Sequence, residues 1–218
     1  MVFIVIDGLD ASGKNTQATL LSSFLKRYGH SVFLRVHPAS DNFFGRKTEF
    51  FLLQRGRKAH FNAALFYMID VMRSVLLYGF KRFDFTIFVR YLMGTAYLPS
   101  PLHSLAYHFF SMILPTSSFM FFLNVTPPEA RRRLQLRNAE IEMFETLNEL
   151  EKIRLKALRL AKEDNWQIID ADRSVAEIQS EIRRLISSKP RAGGAHKVPG
   201  LDVIRKVSQL PMAKAVGL

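Results

Sequence analysis

Apolar residues form two kinds of pattern along this chain. Five short continuous runs, rich in β-branched and aromatic residues, predict buried strands at 2–6, 31–36, 84–89, 119–125 and 166–170. Between these runs, helical spacing of apolar positions predicts helices at 17–28, 41–56, 59–80, 102–114, from 127 onward, 140–162 and 174–186. Strands that alternate with helices predict an α/β fold with three layers, in which helices flank a five-stranded, mostly parallel sheet.

A glycine loop follows the first predicted strand and precedes the first predicted helix. The spacing Gly8-x4-Gly13-Lys14 is the core of a phosphate-binding loop. In such a loop the backbone N–H groups and the helix dipole bind phosphates, and the lysine reaches the outer phosphates as a mobile charge. Asn15 stands where the strict pattern has Ser or Thr, and Thr16 follows it as an alternative Mg²⁺ contact. The residues predicted to bind a polyphosphate are Gly8, Leu9, Asp10, Ala11, Ser12, Gly13, Lys14, Asn15 and Thr16.

Composition narrows the class of protein. The 218 residues fit one domain with a tail, and the absence of cysteine excludes disulfides, thiolate metal sites and a cysteine nucleophile. We expect a cytoplasmic protein with no membrane span or signal peptide. The net charge of +12 is compatible with nucleic acid, acidic lipid or phosphorylated small molecules as partners. Nucleic acid is disfavoured because aromatic residues do not alternate with the basic ones.

Further stretches follow the glycine loop in a defined order. They are Arg35-Val36-His37-Pro38, Leu65-Phe66 with Asp70 and Arg73, Val89-Arg90-Tyr91, and Arg133-x3-Arg137 before Glu142-Met143-Phe144-Glu145. Together with Gly8–Gln17 they resemble the thymidylate kinase family of P-loop nucleoside monophosphate kinases over about residues 1–187. The resemblance implies a P-loop kinase domain at 1–187 with a lid around 131–145. A basic tail at 188–218, with six Lys or Arg and one acid, lies outside it.

The resemblance also implies an activity. We expect transfer of a phosphoryl group from ATP, with Mg²⁺, to a nucleoside monophosphate, with dTMP converted to dTDP as the first expectation. A homodimer is also expected, since the family commonly dimerises through its helices and the apolar helix at 60–80 could serve. Two alternatives stay open: a P-loop kinase with a different phosphorylated or hydroxyl acceptor, and a nucleotide-binding module without turnover.

Residue roles follow from the resemblance and from the chemistry together. Phosphoryl transfer gathers several negative charges, so fixed positive groups around the transferring group are needed. Arg90 comes directly after a buried strand and should point into the crevice at the sheet edge. The resemblance assigns Arg90 and Arg73 to the acceptor phosphate, Phe66 to stacking under the acceptor base, and Asp10 to the acceptor sugar. The predicted catalytic residues are Asp10, Lys14, Arg90, Arg133 and Arg137, and the predicted substrate-binding residues are Asp10, His37, Pro38, Phe66, Arg73, Arg90 and Tyr97.

Simpler interpretations of some of these residues remain. Phe66 lies in an apolar helical stripe, where a residue that only packs in the core is more common. The run Arg131–Arg133 could be a solvated helix face. His37 could line the site or only precede a turn at Pro38.

Three departures from the family pattern bear on the acceptor. Val89 replaces the aspartate of the family's Asp-Arg-Tyr, which leaves Asp10 as the acid in the loop and Asp7 as the next nearest. Asn15 replaces the hydroxyl that usually contacts Mg²⁺. Tyr97 follows Arg90 by one residue fewer than the family spacing. These departures therefore bear on the identity of the acceptor and its base, and not on the presence of an acceptor phosphate.

Overall fold

A computed structural model describes residues 1–54, 56–79, 83–136 and 146–188. The predicted tail beyond residue 188 and the part of the predicted lid at 137–145, which includes Arg137, lie outside the described residues.

The sheet has five strands, all parallel, in the order β2-β3-β1-β4-β5. The strands are β1 Val2–Gly8, β2 Val32–Val36, β3 Phe85–Val89, β4 Phe119–Asn124 and β5 Gln167–Asp170. In β1 and β3 almost every side chain is buried, as expected of parallel strands covered on both faces. The predicted α/β class with a five-stranded parallel sheet is confirmed. β1 lies between β3 and β4, so the glycine loop emerges where the strand order reverses, which is where open parallel sheets bind ligands.

Seven helices and one short 3₁₀ helix are found in the described parts of the chain. The α-helices are α1 Lys14–Arg27, α2 Phe43–Leu52, α3 Arg57–Tyr78, α4 Leu102–Ile113, α5 Pro127–Leu136, α6 Leu147–Glu163 and α7 Val175–Ser188. α1 packs against α7, and α6 contacts α4, α5 and β4. The 3₁₀ helix Met93–Tyr97, which follows β3, was not predicted from the sequence. It packs against α3, α4 and α6 and forms one side of the site described below.

Helix α2 is anchored to α3 by a buried polar group. Asn42 caps α2, its side-chain oxygen accepting from the backbone N–H of Phe44 and Gly45 at 3.0 and 3.1 Å. Its amide nitrogen donates to Asp70 on α3 at 2.7 Å, and Asp70 also accepts from the backbone N–H of Ala39 at 2.8 Å. These bonds join the end of β2 to both helices of the α2–α3 hairpin.

Within α3, the window Phe61–Tyr78 is long and apolar enough to cross a membrane by length and composition. Buried residues make up 39% of that window. Asp70, which is completely buried, belongs to it and is held by the hydrogen bonds just described. Packing and polar contacts therefore tie α3 into the domain.

Candidate active site

The glycine loop has the backbone conformation that a phosphate-binding loop needs. Gly8 has φ 152°, and a Cβ added there would lie 2.6 Å from the carbonyl oxygen of Leu123, so only glycine fits against β4. Gly13 has φ 87°, in the left-handed region that favours glycine, and immediately precedes α1. Ala11 also has a positive φ, of 59°. A non-glycine residue in this region is uncommon and is often found at functional sites.

Asp10 lies at the centre of a group of charged and polar side chains. Its Oδ1 accepts from Arg90 Nη2 at 2.5 Å and from Lys14 Nζ at 3.3 Å, and its Oδ2 accepts from Tyr97 Oη at 3.0 Å. Burial by itself would raise the pKa of the Asp10 carboxyl, but Lys14 and Arg90 hold that pKa well below its usual range. Lys14, Arg90 and Tyr97 therefore meet on one ionised carboxylate. They come from the start of α1, the end of β3 and the 3₁₀ helix.

Lys14 is buried and folded back over the loop. Its Nζ donates to the carbonyl oxygen of Leu9 at 2.7 Å as well as to Asp10. Burial, together with the neighbouring Arg90, lowers the pKa of the Lys14 ammonium to about 8. A polyphosphate close to Nζ would favour the charged form, so binding of an anion and protonation of Lys14 should reinforce each other.

A second carboxylate, Asp7, fixes the turn that presents Arg90. Asp7 Oδ1 accepts from the backbone N–H of Gly8 at 2.9 Å, and Oδ2 accepts from those of Tyr91 and Met93 at 2.7 and 3.0 Å. Burial raises the pKa of Asp7, while these N–H groups act in the opposite direction. Arg90 itself has φ 58°, so this clamp holds a residue in an uncommon backbone conformation at the strand end.

His37 supports Arg90 from the end of β2. The backbone N–H of His37 donates to the carbonyl oxygen of Val89 at 3.0 Å, and its Nδ1 lies 3.0 Å from the carbonyl oxygen of Arg90. The ring is completely buried, and burial lowers the pKa of His37 to about 4. A neutral imidazole with its proton on Nδ1 satisfies this contact, since a carbonyl can only accept.

A cavity of about 400 Å³ opens beside this group, a size typical of small-molecule sites. One end is polar and is lined by Asp7, Gly8, Asp10, Asn15, Arg90 and Tyr97. The other end, which we name the base pocket after the acceptor base that the resemblance predicts, is lined by Val36, Pro38, Thr48, Glu49, Leu52, Leu53, Ala63, Ala64, Tyr67 and Gly94. The cavity therefore offers a cation and hydrogen-bonding groups at the sheet edge and a largely apolar space under the α2–α3 hairpin.

Some predicted site residues are not among those that line this cavity. Phe66 lies between α2 and α3, where its ring stacks on Phe51 with centroids 5.6 Å apart and an interplanar angle of 13°. Its ring is part of the interface between the two helices, as expected for a residue whose role is packing. Arg73 is not among the described cavity-lining residues, and neither is Thr16, which is exposed near the start of α1. Asn15 does line the cavity.

Arg133, predicted as a catalytic lid residue, is bonded to backbone and to α5. Its Nη1 donates to the carbonyl oxygen of Ala11 at 3.3 Å and its Nη2 to that of Ala171 at 2.9 Å. Its Nε donates to Glu129 at 2.7 Å. The guanidinium thus connects the glycine loop with the segment after β5. Arg137, the other predicted lid arginine, lies outside the described residues.

Sequence reasoning missed the residues that shape the base pocket. Tyr67, Ala63 and Ala64 lie on one face of α3, and Thr48 and Leu52 on one face of α2. The helical phase of α3 would have separated Tyr67 from Phe66, because adjacent residues on a helix point in directions about 100° apart. Val89, in contrast, is completely buried in the core, so the carboxylates at the polar end of the cavity are Asp7 and Asp10.

The donor set at the polar end fits Mg²⁺ bound chiefly through a nucleotide. In the described residues no group of three or more His, Asp or Glu side chains is placed to hold a metal. Mg²⁺ usually keeps several waters and is held by one or two carboxylates together with substrate phosphates. Asp10 and the amide of Asn15, both lining the cavity, meet that modest requirement.

Comparisons with known proteins agree with this geometry. A family model described as thymidylate kinase matches residues 6–182. The probable thymidylate kinase of Pyrococcus abyssi is 29% identical over 195 residues, covering 84% of this chain and 95% of that protein. The thymidylate kinase of Plasmodium falciparum is 28% identical over 191 residues, covering 83% and 87%. The solved thymidylate kinase structure from Candida albicans superposes with a TM-score of 0.64 at 18% identity, covering 86% of this chain and 91% of that one. At this identity the structural likeness shows the fold alone.

Proposed function

Because the chain belongs to the thymidylate kinase family, we propose that it transfers the γ-phosphoryl group of ATP to a nucleoside monophosphate, with dTMP as the first substrate and a cytoplasmic location. The observation that carries the proposal is the meeting of Lys14, Arg90 and Tyr97 on the carboxylate of Asp10 at the polar end of a 400 Å³ cavity. The glycine loop supplies the donor side and the cavity the acceptor side. The transferring group would therefore lie between Lys14 and Arg90.

The chemistry needs little from the protein beyond position and charge. An oxygen of the acceptor phosphate forms a bond to the γ-phosphorus of ATP, the bond from that phosphorus to the β–γ bridging oxygen breaks, and ADP leaves. The acceptor phosphate is already an anion, so no general base is required. Arg90, with its planar guanidinium, orients the acceptor phosphate, and Lys14 turns from Leu9 toward the donor phosphates.

Asp10 and Asn15 would hold Mg²⁺ together with the nucleotide phosphates, and Thr16 is the alternative contact that the sequence suggests. The metal ion, when bound, offsets charge on the donor phosphates. Asp10 has the further task of keeping Arg90 and Tyr97 in place, through its bonds of 2.5 and 3.0 Å.

A coupled assay of ADP release tests the proposal with a panel of acceptors. The purified protein is incubated with ATP, Mg²⁺ and each of dTMP, dUMP, dCMP, dGMP and AMP in turn. We expect the highest kcat/KM with dTMP. Turnover only with another acceptor would favour the alternative of a kinase with a different substrate. ATP binding without turnover of any acceptor would favour a nucleotide-binding module.

The proposal includes a homodimer. Along α3, large apolar side chains are exposed at Phe61, Leu65, Leu76 and Leu77. Apolar surface of this kind favours association with a second copy. Sedimentation analysis should give a dimer for the unmodified protein and a shift toward monomer for Leu76→Glu. Leu155→Glu, on the exposed face of α6, is the matched control and should stay dimeric. A monomeric unmodified protein would contradict the proposal.

A further inference from the structure

One aromatic ring separates two cavities. The 400 Å³ cavity and a smaller one of about 130 Å³ between α3 and α4 share three lining residues, Ala64, Tyr67 and Gly94. The smaller cavity is almost entirely apolar, with Phe61, Leu65, Met68, Leu98, Ala106 and Phe110 among its lining residues. Tyr67 is 7% exposed and lies at the boundary. Its ring therefore closes the base pocket on the side that faces α4.

The ring is held in place at its far end. Tyr67 Oη donates to the carbonyl oxygen of Tyr91 at 3.2 Å. On the 3₁₀ helix, a Cβ added to Gly94 would lie 2.4 Å from Tyr67 Cε1 and 2.8 Å from Cζ. The backbone at Gly94 thus packs directly on the ring, and the position is open only to glycine while the ring stays where it is. A side chain fixed by a hydrogen bond and by backbone contact offers a rigid boundary to a ligand.

We infer that Tyr67 sets the depth of the base pocket and limits the acceptor to a pyrimidine nucleotide. This inference rests on the proposed function, since it concerns the acceptor end of the same site. A purine adds a fused ring to the base, and Tyr67 separates the base pocket from the adjoining apolar cavity that could accommodate this ring. Phe66, by contrast, stacks on Phe51 in the α2–α3 interface and has no surface on either cavity among the described residues.

The test compares two aromatic residues that are neighbours on one helix. Tyr67→Ala joins the two cavities, so the ratio of kcat/KM for dGMP to kcat/KM for dTMP should rise by about tenfold or more. Phe66→Ala is the matched control and should leave this ratio unchanged. Tyr67→Phe, which keeps the ring, should also leave it unchanged. The inference is overturned if Tyr67→Ala does not change the ratio, or if Phe66→Ala changes it as much.

Equilibrium binding separates this inference from the proposed function. Calorimetric Kd values for dTMP and dGMP need no turnover, and Tyr67→Ala should shift their ratio in the same direction. If the unmodified protein binds dTMP but phosphorylates no acceptor, the proposed function fails while the Kd ratio still decides the role of Tyr67. If it binds neither nucleotide, both are overturned. Tyr67→Leu, which replaces the ring with a smaller apolar side chain, gives the same readout should Tyr67→Ala fail to fold.

Discussion

The two ends of the cavity are built in different ways. At the polar end, Asp10, Lys14 and Arg90 are charged residues at or near strand ends, joined by hydrogen bonds. At the base pocket, mostly apolar and small residues meet, the majority of them from α2 and α3, and Tyr67 forms the boundary. Sheet topology alone brings strand ends together, whereas the faces that helices present depend on how they pack. Single substitutions at the polar end should therefore change activity strongly, whereas substitutions at the base pocket should act through the shape of the pocket.

Among the predictions for the two ends of the cavity, loss of Lys14 should lower activity the most. Lys14→Ala removes the mobile cation of the glycine loop, so we expect kcat/KM to fall by at least about 10³-fold. Lys26→Ala, at the exposed end of the same helix, is the matched control and should keep full activity. Circular dichroism should show both variants folded. Activity of Lys14→Ala within tenfold of the unmodified protein would contradict the assignment of the loop.

The contrast between the two ends also explains what could be predicted from the sequence. The strands were predictable because parallel strands buried on both faces appear as continuous apolar runs, as in β1. Asp10, Lys14 and Arg90 were predictable because the glycine loop and the strand end at Val89 define where they lie. The strand order was not predictable, because it depends on contacts between residues far apart in sequence. Helical phase could have shown that Tyr67 and Phe66 face different directions, but not that Tyr67 lies between two cavities. The 3₁₀ helix after β3 has no periodic pattern of its own, and Asp7 fixes its start by holding the backbone N–H groups of Tyr91 and Met93.

Burial of His37, beside Arg90 at the polar end, should make the free energy of unfolding depend on pH. Its pKa is lowered to about 4 by burial, from an ordinary value of 6.5, so the unfolded chain binds the proton more readily. The stability contribution of neutral His37 is complete above pH 6.5 and is lost as the pH falls toward 4, by roughly 3 kcal/mol in total. Urea unfolding at a series of pH values should show this loss. His37→Gln should flatten the curve between pH 6.5 and 4, and an unchanged slope would show that His37 is not the group responsible.

Asp10 should matter for the rate more than for binding. Asp10→Asn removes the charge that holds Arg90 and Tyr97, and misplacement of a positioning group by about 1 Å can cost on the order of 10²-fold. We therefore expect kcat to fall by about 10²-fold with a smaller change in the KM for dTMP. Asp41→Asn is the matched control, because Asp41 forms its ion pair with Arg35 and lies outside the cavity lining. A change confined to KM would mean that Asp10 acts only in binding.

The smallest effect is expected at Arg133, where the structure and the sequence suggest different roles. A catalytic lid arginine would lower kcat when removed, whereas the observed bonds to the carbonyl oxygens of Ala11 and Ala171 support the glycine loop. If support of the loop is its role, Arg133→Ala should raise the KM for ATP by about tenfold and leave kcat within a few-fold, as expected when binding is lost equally in the ground and transition states.

Arg132→Ala is the matched control, since Arg132 bonds the same Glu129 but is exposed. If kcat instead fell by about 10²-fold while KM stayed unchanged, the catalytic role would be restored. The comparison with Arg137→Ala would then show which of the two arginines acts on the transferring group.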